Sequence, residues 1–158
     1  MKYFSVIVAF VFVFLSCVPA NSFEARVVRV KDGDTFVARI KQRKEDIRLY
    51  GVDTPEKDQW FGSASTRAVK TAINGETVSI HKMGVDPYDR IVALVEFKGK
   101  SLNAELVRKG YAWVYDYFCN AGVCSDWKTL EREARNDNRG LWEKDDVIPP
   151  WKFRKQNK

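Results

Sequence analysis

Nine consecutive residues carry most of the chemistry this chain could do. Arg48-Leu49-Tyr50-Gly51-Val52-Asp53-Thr54-Pro55-Glu56 puts one guanidinium and two carboxylates near the end of an extended stretch. Hard cations such as Ca2+ take oxygen ligands from carboxylates, carbonyls and water. Asp53, the carbonyl of Thr54 and Asp34 from the nearby Lys31-Asp32-Gly33-Asp34 turn can supply three of them. His81 is the only histidine, so mechanisms that need a histidine pair are excluded. Acid–base work then falls to a carboxylate, and Glu56 is the best placed. Arg48 and Arg90 can each grip a phosphate through paired N–H donors and stabilise the charge of a five-coordinate phosphorus. Taken singly, each residue has a plainer reading. An Asp-Gly turn uses one aspartate for its own geometry, and Asp53 and Glu56 beside Pro55 suit a loop. Their joint occurrence in this order favours a site.

Positioning these groups requires a particular run of elements. Glu24 to Val30 reads as a strand, Thr35 to Ile40 as a second with β-branched and aromatic residues, and Asp46 to Tyr50 as a third. Lys41 to Asp46 reads as a charged hairpin loop between them. Ile47 and Leu49 share one face of the third strand, which aims Arg48 to the other. Gly51 to Phe61 is a loop broken by Pro55. Ala64, Ala68, Val69, Ala72 and Ile73 recur at helical spacing until Asn74-Gly75. Glu76 to Lys82 and Ile91 to Phe97 read as strands, with Met83 to Arg90 a loop between them. Ser101 to Lys109 reads as a short helix, and Tyr111 to Tyr117 as aromatic and extended. Ser125 is placed to cap a helix carrying Trp127, Leu130 and Ala134. The expected class is α+β, a five-stranded oligonucleotide-binding (OB-type) β-barrel with about three packed helices. The expected organisation is a leader over 1–20, one domain over 24–142, and a charged, loosely held C-terminal tail over 143–158.

With 45% hydrophobic and 30% charged residues over 158 positions, disorder is excluded. Lys and Arg number 27 against 21 acidic residues, a formal +6 that suits a polyanionic partner without requiring one. Lys2, the apolar run Val6 to Leu15 and the small residues after it describe a secretory signal. That run is shorter than the ~20 apolar residues a membrane span needs. A lipoprotein signal ending at Cys17 is the alternative, and an uncleaved anchor a third. Cys119 and Cys124 then form an even pair bound for an oxidising compartment, where a disulfide is expected. A closed loop that short stabilises by ~2 kcal/mol. The rival, half of a zinc site, lacks the histidines and cysteines to complete it. His81 reads as structural or surface. Among the aromatics some fill core, while Tyr88 is a candidate base-stacking contact to substrate.

Several ordered blocks resemble the thermonuclease family, also called staphylococcal nuclease-like. They are Asp32-Gly33-Asp34-Thr35, Arg48 to Glu56, and Pro87-Tyr88-Asp89-Arg90 with Ala93. Asn103 to Ala112 and Glu131 to Trp142 follow. The resemblance spans about Ala25 to Trp142. It implies the five-stranded barrel with helices against it. It implies Ca2+ at Asp34, Asp53 and the Thr54 carbonyl, with Glu56 acting on the attacking water. Arg48 and Arg90 would bind the scissile phosphate. It implies hydrolysis of DNA and RNA that leaves 3′-phosphate ends. One departure stands out: Asp89 occupies the position before the second arginine, where the family usually has glycine. An aspartate tolerates φ > 0 better than most residues but less well than glycine. Asp86 or Asp89 could also pair with Arg90.

The first expectation is therefore an exported, periplasmic or extracellular Ca2+-dependent endonuclease. It would be a monomer without a stable protein partner, touching membrane only through Cys17 or an uncleaved leader. A non-catalytic OB-fold module that binds nucleic acid and an envelope lipoprotein interaction domain are the alternatives.

Overall fold

Alternating burial builds the sheet in this computed structural model, which describes residues 22–157. The leader and Cys17 lie outside the described residues. In β1 (Ser22–Val30) Ala25 and Val27 face inward while Glu24 and Arg26 face out. In β2 (Thr35–Ile40) Phe36 and Ala38 are inward, and in β3 (Arg43–Leu49) Ile47 and Leu49. The expected charged loop over 41–46 is mostly strand. Ile40 pairs with Arg43, so the reversal is a two-residue turn with Lys41 at φ 55°.

A two-residue strand, β4 (Val52–Asp53), follows β3, and then α1 (Gly62–Ile73) covers one end of the sheet. Next come β5 (Thr77–Val85) and β6 (Ile91–Phe97). β5 extends three residues beyond its expected end, which shortens the loop before Arg90. β1 pairs antiparallel with both β2 and β5, β5 with β6, and β6 closes the ring by running parallel to β3. This is the expected OB-type closed barrel. A short β7 (Lys100–Ser101) lies on the outer edge of β6.

The helix α2 (Leu102–Arg108) starts at Ser101, whose side chain accepts from the Ala104 N–H. Buried Asn103 ties this helix to the barrel. Its amide donates to the carbonyls of Tyr50 and Ala93 and its oxygen accepts from Val95 N. The expected extended stretch over 111–117 contracts to β8 (Trp113–Val114), paired with β4, followed by a 3-10 turn over Asp116–Phe118. α3 (Val123–Asn136) begins two residues before Ser125, which sits inside the helix and donates to Gly122 O instead of capping it. The Cys119 and Cys124 sulfurs are bonded, with the Cα atoms 5.7 Å apart.

Two cores result. The barrel interior holds Phe36, Ile47, Leu49, Ile80 and Val95 with Val69 and Ile73 of α1. A smaller one joins Trp113, Ala134, Leu141 and Trp142, with Phe61, Val147 and Trp151 packed against it. The second core recruits the C-terminal segment, where the structure departs from the expected tail. Pro150–Gln156 form a short helix, α4, where a loosely held tail was expected. Trp151 on α4 stacks on Tyr115 with ring centroids 4.9 Å apart and planes 4° from parallel. Burying two aromatic faces helps to hold a short terminal helix that composition alone marks as solvated.

Candidate active site

The turn between β1 and β2 divides its two aspartates by function. Asp32 Oδ1 accepts from the N–H groups of Asp34 (3.0 Å) and Thr35 (2.7 Å), closing the turn. Asp34 is thereby released to point inward, where it is buried. Its Oδ2 accepts from Thr54 N (2.8 Å) and Thr54 Oγ1 (2.9 Å). Gly33 permits this approach, because a Cβ there would sit 2.6 Å from Thr54 Oγ1.

Arg48 leaves the outer face of β3, as its alternation with Ile47 and Leu49 requires. It bridges the two buried carboxylates: Nη1 lies 3.0 Å from Asp34 Oδ1 and Nη2 3.0 Å from Asp53 Oδ1. Asp53 is fixed by the β4–β8 pairing opposite Trp113, so the second core backs the site. Glu56 stands at the rim with a half-open side chain. Its backbone is held twice by Gln59, which donates from its N–H to Glu56 O and accepts Glu56 N–H at its side-chain oxygen.

Arg90 is not brought into contact with this group. Its Nε pairs with Asp86 Oδ2 at 2.6 Å, and Asp86 Oδ1 accepts from the N–H groups of Tyr88 and Arg90. Strand register nevertheless places it on the same face as Arg48. Arg48 is level with Val92 on the parallel neighbour, and Arg90 lies two residues earlier with the same parity. Both guanidiniums therefore leave one face of the sheet, offset by about 7 Å along the strand. Asp89 takes the left-handed conformation at φ 60°, the one that glycine adopts without strain. The ring of Tyr88 is exposed, and the Arg90 guanidinium lies 5.4 Å from its centroid.

One residue of the site is absent from the sequence reading. Arg154 of α4 reaches Asp53 Oδ2 through Nη2 at 2.8 Å and Glu56 Oε1 through Nη1 at 2.7 Å. The available signal was Pro149-Pro150. Proline suits the first turn of a helix, and here it opens one rather than ending order.

Charge is tightly packed here. Burial pushes Asp53 up to about 6, with the Asp34 carboxylate adding to the rise and hydrogen bonds and charge from Arg154 and Arg48 opposing it. Burial likewise lifts Asp32 to about 6, again with Asp34 beside it. Arg154 is held above its ordinary value; burial works against this, but the hydrogen bonds it donates to Asp53 and Glu56 outweigh it. Asp86 moves the other way. Slight burial raises it, but the bonds from Arg90 and Tyr88 hold it below the usual range.

For Asp53 the sign of the linkage is definite. Its folded pKa of about 6 lies above the reference 3.8, so the native state binds the proton more tightly. That contribution is complete below 3.8 and is lost as pH rises through 6. In chelator, the stability of the wild type relative to Asp53→Asn should fall between pH 4 and pH 7, read from denaturant melts of both proteins. A flat or rising difference would contradict the assignment.

The donor chemistry suits a hard cation. Asp34 and Asp53 are carboxylates close enough to repel each other, and Thr54, which follows Asp53 in sequence, is hydrogen-bonded to Asp34. Among the described residues no three His, Cys, Asp or Glu side chains gather as a ready cage. A cation here would rest on two carboxylates, a carbonyl and water, a set that Ca2+ accepts.

The pattern that defines the Staphylococcal nuclease homologue family matches residues 46–144. An "uncharacterized endonuclease" of Escherichia coli is 38% identical over 144 residues, covering 90% of this chain and 92% of the relative. A "micrococcal nuclease" of Shigella flexneri is 31% identical over 161 residues, covering 96% and 92%. An "uncharacterized endonuclease" of Haemophilus influenzae is 30% identical over 149 residues, covering 94% and 82%. The chain belongs to the staphylococcal nuclease family.

Proposed function

We propose that this chain is a Ca2+-dependent endonuclease that hydrolyses DNA and RNA and leaves 3′-phosphate ends. The observation that carries the reading is the Asp34–Arg48–Asp53 chain with Glu56 at its rim. A module that only bound nucleic acid would gain nothing from burying two mutually repelling carboxylates, which costs stability. Family membership and the nuclease names of its relatives support the reaction class.

Asp34, Asp53 and the Thr54 carbonyl are the residues that would hold the cation. When bound, it supplies positive charge against the phosphate oxygens and orders water beside them. Arg48 turns its donors to the scissile phosphate and stabilises the extra negative charge of the five-coordinate phosphorus. Arg90 meets the same phosphate once Asp86 releases it. Glu56 takes a proton from water as the water oxygen bonds to phosphorus. The bond from phosphorus to the 5′ oxygen breaks, and that oxygen takes up a proton from solvent water and departs as a hydroxyl. The phosphate stays on the 3′ side. Exposed Tyr88 offers a face on which a base can stack without sequence choice. The bonded Cys119–Cys124 pair and the apolar leader support action outside the cytoplasm, where Ca2+ is abundant enough for a weak site.

Residues 21–158, incubated with DNA and with RNA in Ca2+, should cut both, and chelator should stop the cutting. The product ends should resist polymerase extension until a phosphatase removes the 3′-phosphate. Binding without cleavage in Ca2+ would sink the enzyme reading in favour of a binding module. Undiminished cleavage in chelator would sink the cation.

A further inference from the structure

We propose that Arg154 is a further member of this site, a positioning residue that holds Asp53 and Glu56 and that the cation must displace from Asp53. The proposal rests on the reading of Asp53 as a ligand. Its basis is how the carboxylate oxygens are shared. Asp53 Oδ1 takes Arg48 Nη2 at 3.0 Å and Arg154 Nη1 at 3.3 Å, and Oδ2 takes Arg154 Nη2 at 2.8 Å. Both oxygens are therefore engaged by guanidinium. Arg154 Nη1 also holds Glu56 Oε1 at 2.7 Å, so one planar cation spans the ligand and the residue that acts on water.

A cation bound to Asp53 at about 2.3–2.6 Å would lie within a few ångström of that guanidinium. Two positive charges at such range, in a pocket where the Asp53 side chain is only 2% exposed, repel strongly. One must retreat, and the structure indicates which. The Arg48 side chain is 14% exposed and fixed in a barrel strand, whereas that of Arg154 is 40% exposed on a seven-residue terminal helix. Arg154 can swing out to solvent, whereas Arg48, anchored on β3, can only turn its donors within the site.

The helix that carries it is placed rather than loose. Trp151 stacks on Tyr115. Gln59, which also grips Glu56, donates from its side chain to Ile148 O. The arm is thus attached to the Glu56 loop from both sides. Withdrawal of Arg154 frees Glu56 Oε1 to receive a proton, so cation binding and readiness of the base are linked through one side chain.

The linkage has an uncommon sign. Removing a conserving contact normally weakens a site, but removing a competitor tightens it. Ca2+ titrated calorimetrically into residues 21–158, without nucleic acid, should bind Arg154→Ala about tenfold more tightly than wild type, a normal size for coupling between two ligands. Trp151→Ala, which loosens the arm without touching the carboxylates, should shift affinity in the same direction by less. Circular dichroism confirms that each variant is folded. Unchanged or weaker Ca2+ binding by a folded Arg154→Ala, with wild type binding normally, overturns the competition and leaves the nuclease reading intact. Absence of Ca2+ binding by both proteins overturns the ligand assignment, and the proposal with it.

Discussion

Glu56→Gln should lower the single-turnover cleavage rate by about 10²–10⁴-fold at saturating Ca2+ and substrate, the range for removing a general base. Glutamine has nearly the same shape but cannot take up the proton that leaves the attacking water. Little else should change. The Gln59 contacts are to the Glu56 backbone and persist. The side-chain oxygen that accepts from Arg154 is retained. Glu56 is half exposed, so loss of its charge strands no buried partner. Ca2+ affinity should not fall, because Glu56 is not among the proposed ligands and a weaker hold on Arg154 only eases its competition for Asp53. A rate within about threefold of wild type would remove Glu56 from the proton transfer, since general-base effects are far larger than that. A rate loss accompanied by an equal loss of Ca2+ affinity would recast it as a ligand.

The separation of the two turn aspartates shows what a sequence conveys about such a site. Asp-Gly announces a turn, and a turn needs one aspartate; the second, Asp34, was therefore available for other work. The same holds for Arg48, whose direction follows from period-two alternation against Ile47 and Leu49. These are local rules, and local rules found the barrel strands and the block from Arg48 to Glu56. Where a contact depends on distant residues, they fail. Arg154 lies 101 positions from Asp53, and nothing in Pro149 to Lys158 states that a tryptophan will find Tyr115. The stretch over 111–117 failed for a related reason. Its alternation of aromatics suggested a strand, but each ring has a different destination. Trp113 is buried in the second core, Tyr115 lies under Trp151, and Tyr117 is exposed. Alternation in side-chain class is not alternation in environment. At Arg90 the sequence named the competitor but left open which of two aspartates it was. The left-handed turn at Asp89 brings Arg90 back against Asp86, whose Oδ2 takes the guanidinium.

Gly62→Ala should reduce cleavage by about 10²-fold through geometry alone, the cost of misplacing a reacting group by about 1 Å. Gly62 opens α1 and makes no contact with any proposed ligand. A Cβ there would lie 1.7 Å from the carbonyl oxygen of Glu56 and 2.6 Å from its carbon. Both atoms are backbone, so no side-chain rotation relieves the overlap. The segment is already cinched, with Gln59 N–H on Glu56 O and Gly62 N–H on Gln59 O. The Glu56 backbone must therefore move by more than 1 Å to reach ordinary contact distance, and the carboxylate moves with it. Overpacking of this kind also costs about 1–3 kcal/mol of stability. Asp34, Asp53 and Thr54 are held by the β1–β2 turn, Arg48 and the β4–β8 pair, so Ca2+ affinity should be preserved. Gly122→Ala is the matched control, because a Cβ there meets nothing within 4 Å. The decisive measurement is the cleavage rate of folded Gly62→Ala with Ca2+ saturating. If that rate matches the control, the position of Glu56 does not limit the reaction. If the rate falls while Ca2+ binding holds, the helix start and the chemistry are joined through a single missing carbon.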